Sequence, residues 1–190
     1  MILHMSFDGE DAYPSGPEET DRLISEAFHS VSVKEVRDGK YVTGGQASFC
    51  YTEPPKRFPS TYLFVAVNEL SGFGALTWCT DGQAPRKGGI YDHAWISDNP
   101  DPSGTDSRLV SETYHPRFHD RASAIPLPLV RAAVEEYCRS GTGERPECVD
   151  WVSGEISGRR HDRPPFEDEV VQGHTEPNWD TFFDGAPRSE

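Results

Sequence analysis

The sequence predicts an α+β fold: an antiparallel β-sheet of about five or six strands with one or two helices packed on one face. Two observations lead there. Residues 126–140 carry a helical pattern with a marked beginning and end, and a helix with one apolar stripe needs a sheet to lie on. Residues 62–67 (YLFVAV) and 75–80 (ALTWCT) are β-prone runs joined by the glycine-containing connection NELSGFG.

Taken in order, residues 1–17 are acidic and rich in turn formers, and are expected to hold at most a short strand near the start. Residues 18–29 place Leu23, Ile24, Ala27 and Phe28 on one face, which predicts a short amphipathic helix opened by acids that suit its N-terminal dipole. Residues 31–36 alternate with period two and lead to Asp38-Gly39, a tight-turn dipeptide. Residues 40–43 then read as a return strand and 47–52 as another, ended by Pro54-Pro55. After the hairpin of 62–80 comes a loop over 81–89, and a further strand is expected over 90–96. Residues 97–106 form a polar, acidic loop, and 109–114 an edge strand.

In the principal helix, Pro126 and Pro128 suit a first turn, where a missing N–H costs nothing. Leu127, Val130, Ala133, Val134, Tyr137 and Cys138 form its apolar stripe, and Arg131, Glu135 and Arg139 a solvent-facing row. Gly141 and Gly143 end it, because a left-handed cap is cheapest as glycine, and residues 148–152 read as a strand. Residues 1–154 are therefore expected to be a single α+β domain. Residues 155–190, with Pro164-Pro165 and acidic runs, read as an extension.

Composition narrows the function. With 18 Lys and Arg against 32 Asp and Glu, the net charge is −14, which argues against direct nucleic-acid binding. Cys50, Cys79, Cys138 and Cys148 show no CxxC spacing and read as small core hydrophobes of a reducing compartment. The N-terminus lacks the pattern of a signal peptide, and no run is long and apolar enough for a membrane helix, so a cytoplasmic location is expected.

Catalytic signatures are absent: there is no GxSxG, P-loop, HExxH or zinc-deaminase pattern. The glycines at 72 and 74 lack the following helix of a dinucleotide fingerprint and read as turn chemistry. His115 and His119 are four apart, but Pro116 removes the helix on which such a pair converges on a metal. His93 lies on a predicted strand, with Asp92 on the opposite face. No cofactor, metal or catalytic residue is assigned. A small enzyme of unrecognised class using His93, His115 or His119 is the alternative, and a non-catalytic scaffold module a third reading.

Acid concentrates at the two ends. Residues 1–30 hold seven Asp or Glu against Arg22 alone, and residues 166–190 hold seven against Arg188 alone, interleaved with aromatics. Acid with aromatic anchors suits a protein interface, and the plainer reading is aromatics packed back on the domain with solvated acids. The expected partner-binding residues are Asp98, Asp101 and Asp106 in the acidic loop, with Glu167, Asp168, Glu169, Trp179, Asp180, Phe183 and Asp184 in the extension.

Two blocks carry a resemblance: TYLFVAVNELSGFGALTW (61–78) and FHDRASAIPLPLVRAAVEEYCRSGTGERPECVDW (118–151). The first is a strand, a glycine turn and a strand ending near tryptophan. The second is a Phe, a Ser-x-Ile-Pro segment, a VRxAxxEF-type helix and a threonine-glycine turn before RPxxVxW. Together they resemble immunity protein family one of bacterial polymorphic toxin systems. Ala124 stands where that family often has glutamate, and the turn at 141–144 is longer than usual. The resemblance implies an α+β protein that is not an enzyme. It implies a partner: a basic cognate toxin, often a nucleic-acid deaminase, bound one-to-one with its active site blocked.

Overall fold

The computed structural model describes residues 1–36, 40–42, 44–52, 58–80, 94–102, 108–112 and 117–164. Ile2–Phe7 (β1) and Glu10–Ala12 (β2) form a hairpin across Asp8-Gly9, whose φ angles of 54° and 78° are those of a tight turn left-handed at both central residues. The sequence suggested at most a short strand here. In fact β1 is six residues long and pairs with Ala47–Thr52 (β5), because Met5 completes an apolar row that β5 cannot bury alone.

Pro17–Val31 is the first helix (α1), longer at both ends than periodicity suggested. Its N-terminus is held by the Glu19 carboxylate, which accepts from the Ser15 amide at 2.7 Å and the Ser15 hydroxyl at 2.6 Å. Lys34–Val36 (β3) and Lys40–Val42 (β4) make a separate two-stranded hairpin. Its Asp38-Gly39 turn lies outside the described residues. The anticipated hairpin of Thr61–Asn68 (β6) and Phe73–Thr80 (β7) is present, paired from Thr61↔Thr80 to Asn68↔Phe73.

Ala94–Asp98 (β8) follows; the part of the expected strand before Ala94 lies outside the described residues. Val110–Glu112 (β9) is not an edge of the main sheet as the sequence suggested: it pairs with Arg117–Phe118 (β10) in a second small hairpin. A short 3-10 turn, Arg121–Ser123, leads to Ile125–Pro126 (β11), the second helix Leu127–Ser140 (α2) and Asp150–Gly154 (β12). Among the described residues the main sheet has eight strands in the order β12-β8-β7-β6-β5-β1-β2, with β11 added on β7. The count exceeds five or six because β1, β2 and β11 join it.

Both helices cover the face bearing Met5, Phe49, Leu63, Val65, Leu76 and Trp78, onto which Ile24, Val130 and Tyr137 pack fully buried. Each such side chain contributes roughly 1.5–3 kcal/mol. The partly exposed ion pairs Arg131–Glu135 at 2.9 Å and Arg139–Asp21 at 3.3 Å, the second joining α2 to α1, are worth about 0–1 kcal/mol each. Burial therefore holds the helices down, and the ion pairs only trim their solvent side.

Hydrogen bonds fix where α2 ends. The Tyr51 hydroxyl donates to the Cys138 carbonyl at 2.7 Å, and the Tyr137 and Thr61 hydroxyls lie 2.9 Å apart. Gly141, the cap of α2, takes φ of 65° as that pattern requires, and Gly143 in the following turn takes φ of 71°. A Cβ on Gly143 would come within 2.4 Å of Thr61 Oγ1, and its carbonyl accepts from Trp78 Nε1 at 3.1 Å. Beyond α2's reach, Arg145 covers the β8–β12 end of this face: its guanidinium lies 4.2 Å from the Trp95 ring and 5.7 Å from that of Trp151.

Candidate partner-binding surface

Two of the expected partner-binding residues lie within the described structure, Asp98 and Asp101. Asp106, Glu167, Asp168, Glu169, Trp179, Asp180, Phe183 and Asp184 lie outside it, as do His93 and His115.

Asp98 ends β8, where that strand separates from β7 and β11 takes its place. Buried Ser97 closes the junction: the Leu76 amide donates to its hydroxyl at 3.0 Å, and the hydroxyl donates to the Ser123 carbonyl at 2.7 Å. Asn99 extends the link, its side-chain amide donating to the Ala124 carbonyl at 2.7 Å. Asp101 follows on the outside, exposed, with its amide donating to Asn99 Oδ1 at 3.1 Å. Asp101 thus follows directly on a tightly bonded strand end.

Asp98 faces Asp150 directly across the β8–β12 pair. Its own carboxylate accepts from Arg160 at 2.7 Å, and the same buried guanidinium reaches Asp162 at 2.8 and 2.9 Å and the Ala122 carbonyl at 2.9 Å. Burial works against charge on Arg160, but the hydrogen bonds it donates to Asp162 and Asp98 outweigh it and raise its pKa. The Asp162 carboxyl is correspondingly lowered by its hydrogen bond from Arg160. Nothing in the sequence singled out Arg160, which follows the last periodic segment.

Asp98, Asn99, Pro100, Ile125, Pro126, Leu129, Glu147, Cys148, Val149 and Asp150 line a cleft of about 180 Å³. It lies where β8, β11, the first turn of α2 and the approach to β12 meet. The Glu136 carboxylate, on α2, fixes that approach by accepting from the amides of Glu147 at 2.7 Å and Cys148 at 3.2 Å.

The histidines are placed differently. His119 is buried, its Nδ1 has no hydrogen-bond partner among the described residues, and burial pushes its pKa down to about 4. Gly158 admits it: a Cβ there would lie 2.5 Å from Ser111 Cβ and 3.1 Å from His119 Nδ1. A neutral, enclosed imidazole has the position of a core residue.

One constellation escaped the sequence. His4 lies opposite Cys50 in the β1–β5 pair, with Nδ1 3.2 Å from the sulfur and Nε2 2.9 Å from Asp11 Oδ1. The hydrogen bond from His4 lowers the Asp11 pKa, whereas burial pushes the Cys50 thiol up to about 11. The arrangement copies a Cys-His-Asp relay, but its sulfur is buried and protonated, so it acts as a cross-strand clamp. Among the described residues, no three His, Cys, Asp or Glu side chains are placed to hold a metal, and no helix is long and apolar enough to cross a membrane.

The sequence profile for immunity protein Imm1 matches residues 8–153, from the β1–β2 turn to within one residue of the end of β12. The chain belongs to the Imm1 immunity-protein family. No curated protein and no solved structure matches it. The Imm1 match takes in both helices, every residue lining the cleft and all strands of the sheet except β1, and stops before Arg160.

Proposed function

We propose that this chain neutralises a cognate toxin of the same bacterium by binding it one-to-one and covering its active site. The observation that carries this reading is Imm1 membership over most of the chain. Its net charge of −14 supports a basic target, a toxin acting on nucleic acid such as a deaminase, whose substrate groove carries positive charge. The acids of the 97–106 loop and of the 166–184 segment steer that encounter, and Trp179 and Phe183 serve as anchors. The protein works in the cytoplasm, as a monomer before it meets the toxin, and needs no cofactor or catalytic step. Burial of His119 speaks against the alternative in which that histidine does chemistry.

Co-expression of the full chain with the toxin domain encoded beside it tests the proposal. Restored growth and recovery of the two proteins as one complex are expected. Growth arrest with a folded, well-expressed chain would overturn it.

A further inference from the structure

We infer that the cleft between the end of β8, the first turn of α2 and residues 147–150 seats one long basic side chain of the toxin. The inference rests on the immunity reading above. At about 180 Å³ the cleft is smaller than the roughly 300–1,000 Å³ of small-molecule sites, so it suits one side chain better than a metabolite. Its walls are apolar where a methylene stem would lie: Ile125, Val149, Pro100, Pro126 and Leu129, the last half-exposed at 44%. Its charged lining residues are Asp98, Glu147 and Asp150, with no Lys, Arg or His among them.

A second feature of the fold agrees. Asp98 and Asp150 are direct cross-strand partners, and like charges so placed destabilise a sheet. Arg160 answers this only from the Asp98 side and divides its guanidinium with Asp162. Asp150 is exposed and both aspartates line the cleft, so a cation seated there lies beside negative charge that Arg160 only partly offsets. Charge also decides the occupant. A second copy would bring another net −14, and the chain's own segment 166–190 carries seven acids against one arginine. A basic foreign segment is the complementary one.

The test compares full-length wild type, Asp150→Asn and Leu129→Ser for binding to the purified toxin domain encoded beside the chain, at low and physiological salt. Thermal melting and sedimentation are run on the same samples. Asp150→Asn is expected to melt no lower than wild type, since it relieves the Asp98 repulsion, yet to bind about tenfold more weakly with a smaller salt dependence. Leu129→Ser is expected to dissociate faster at an unchanged salt dependence. Tight wild-type binding that both variants keep within about twofold would overturn the cleft and leave immunity standing. A wild type that neither binds nor rescues growth would overturn immunity and the cleft with it. Loss of a wild-type dimer in Asp150→Asn would assign the cleft to a second copy. Hydrogen-exchange protection in 165–190 that disappears in Asp150→Asn, with toxin binding unchanged, would assign it to the chain's own tail. Either result overturns the inference.

Discussion

Replacing Arg160 by methionine should be among the most damaging single changes outside the helix-covered core. The Arg160 side chain is 3% exposed and its guanidinium serves three acceptors: Asp98 at 2.7 Å, Asp162 at 2.8 Å and the Ala122 carbonyl at 2.9 Å. Methionine keeps much of the stem's packing and removes all of these donors at once. Breaking a fully buried pair in this way costs about 3–5 kcal/mol. Here the Asp98 and Asp162 side chains are 26% and 45% exposed, so water takes over part of the loss, and about 2–3 kcal/mol is expected. With a urea m-value of about 2 kcal/mol/M, the unfolding midpoint should fall by about 1–1.5 M. Arg160→Lys should fall between wild type and methionine, since one ammonium cannot span the three acceptors in a planar fork. Adding Asp98→Asn to the methionine variant should recover part of the loss by removing an unpaired carboxylate. A loss below about 0.5 kcal/mol in Arg160→Met would mean the residue behaves as a surface arginine, and the reasoning would fail.

Other consequences follow from the same packing. Gly143→Ala should destabilise by at least about 1–2 kcal/mol, since φ of 71° and a Cβ within 2.4 Å of Thr61 Oγ1 oppose it; an unchanged midpoint would deny that close approach to β6. Tyr137→Phe should cost about 1 kcal/mol by leaving the Thr61 hydroxyl without its 2.9 Å partner, again read by urea denaturation. His119 titrates at about 4 in the fold against 6.5 ordinarily, so below pH 6.5 the unfolded chain takes up a proton that the native chain refuses. Its contribution is intact above pH 6.5 and lost as pH falls towards 4, by about 3 kcal/mol in all; His119→Gln should flatten stability over that window, and an unaltered slope would contradict its burial. Cys148 is the one exposed thiol, with partial burial and Glu136 pushing its pKa up to about 11, so a thiol reagent at alkaline pH should modify one cysteine in the native chain and all four in denaturant. Two or more native reactions would show the core to be open.

The parts of the fold that the sequence revealed are those with local signals. The β6–β7 hairpin and α2 have period, caps and turns within twenty residues, and each buries its own face. The β1–β5 pairing was hidden because the strands lie more than forty residues apart, although the Asp8-Gly9 turn from β1 to β2 is a local signal. The same separation hid the His4–Cys50 contact. β9 read as an edge strand because alternation reports that a segment is extended, not which sheet it joins. Of the proposed interface, the acids of residues 97–106 stand out by composition alone. The opposition of Asp98 and Asp150 requires the β8–β12 register, and Arg160 reaches them from beyond the last periodic element. Side chains that meet only through tertiary register leave no local trace.

The most direct test of the immunity reading is the association of the purified full chain with the purified toxin domain encoded beside it, followed by interferometry across a range of salt concentrations. The account predicts a one-to-one complex whose association rate falls steeply as salt rises, because a chain of net charge −14 is drawn to a basic surface. No complex at micromolar concentration, or one whose association rate ignores salt, would contradict it.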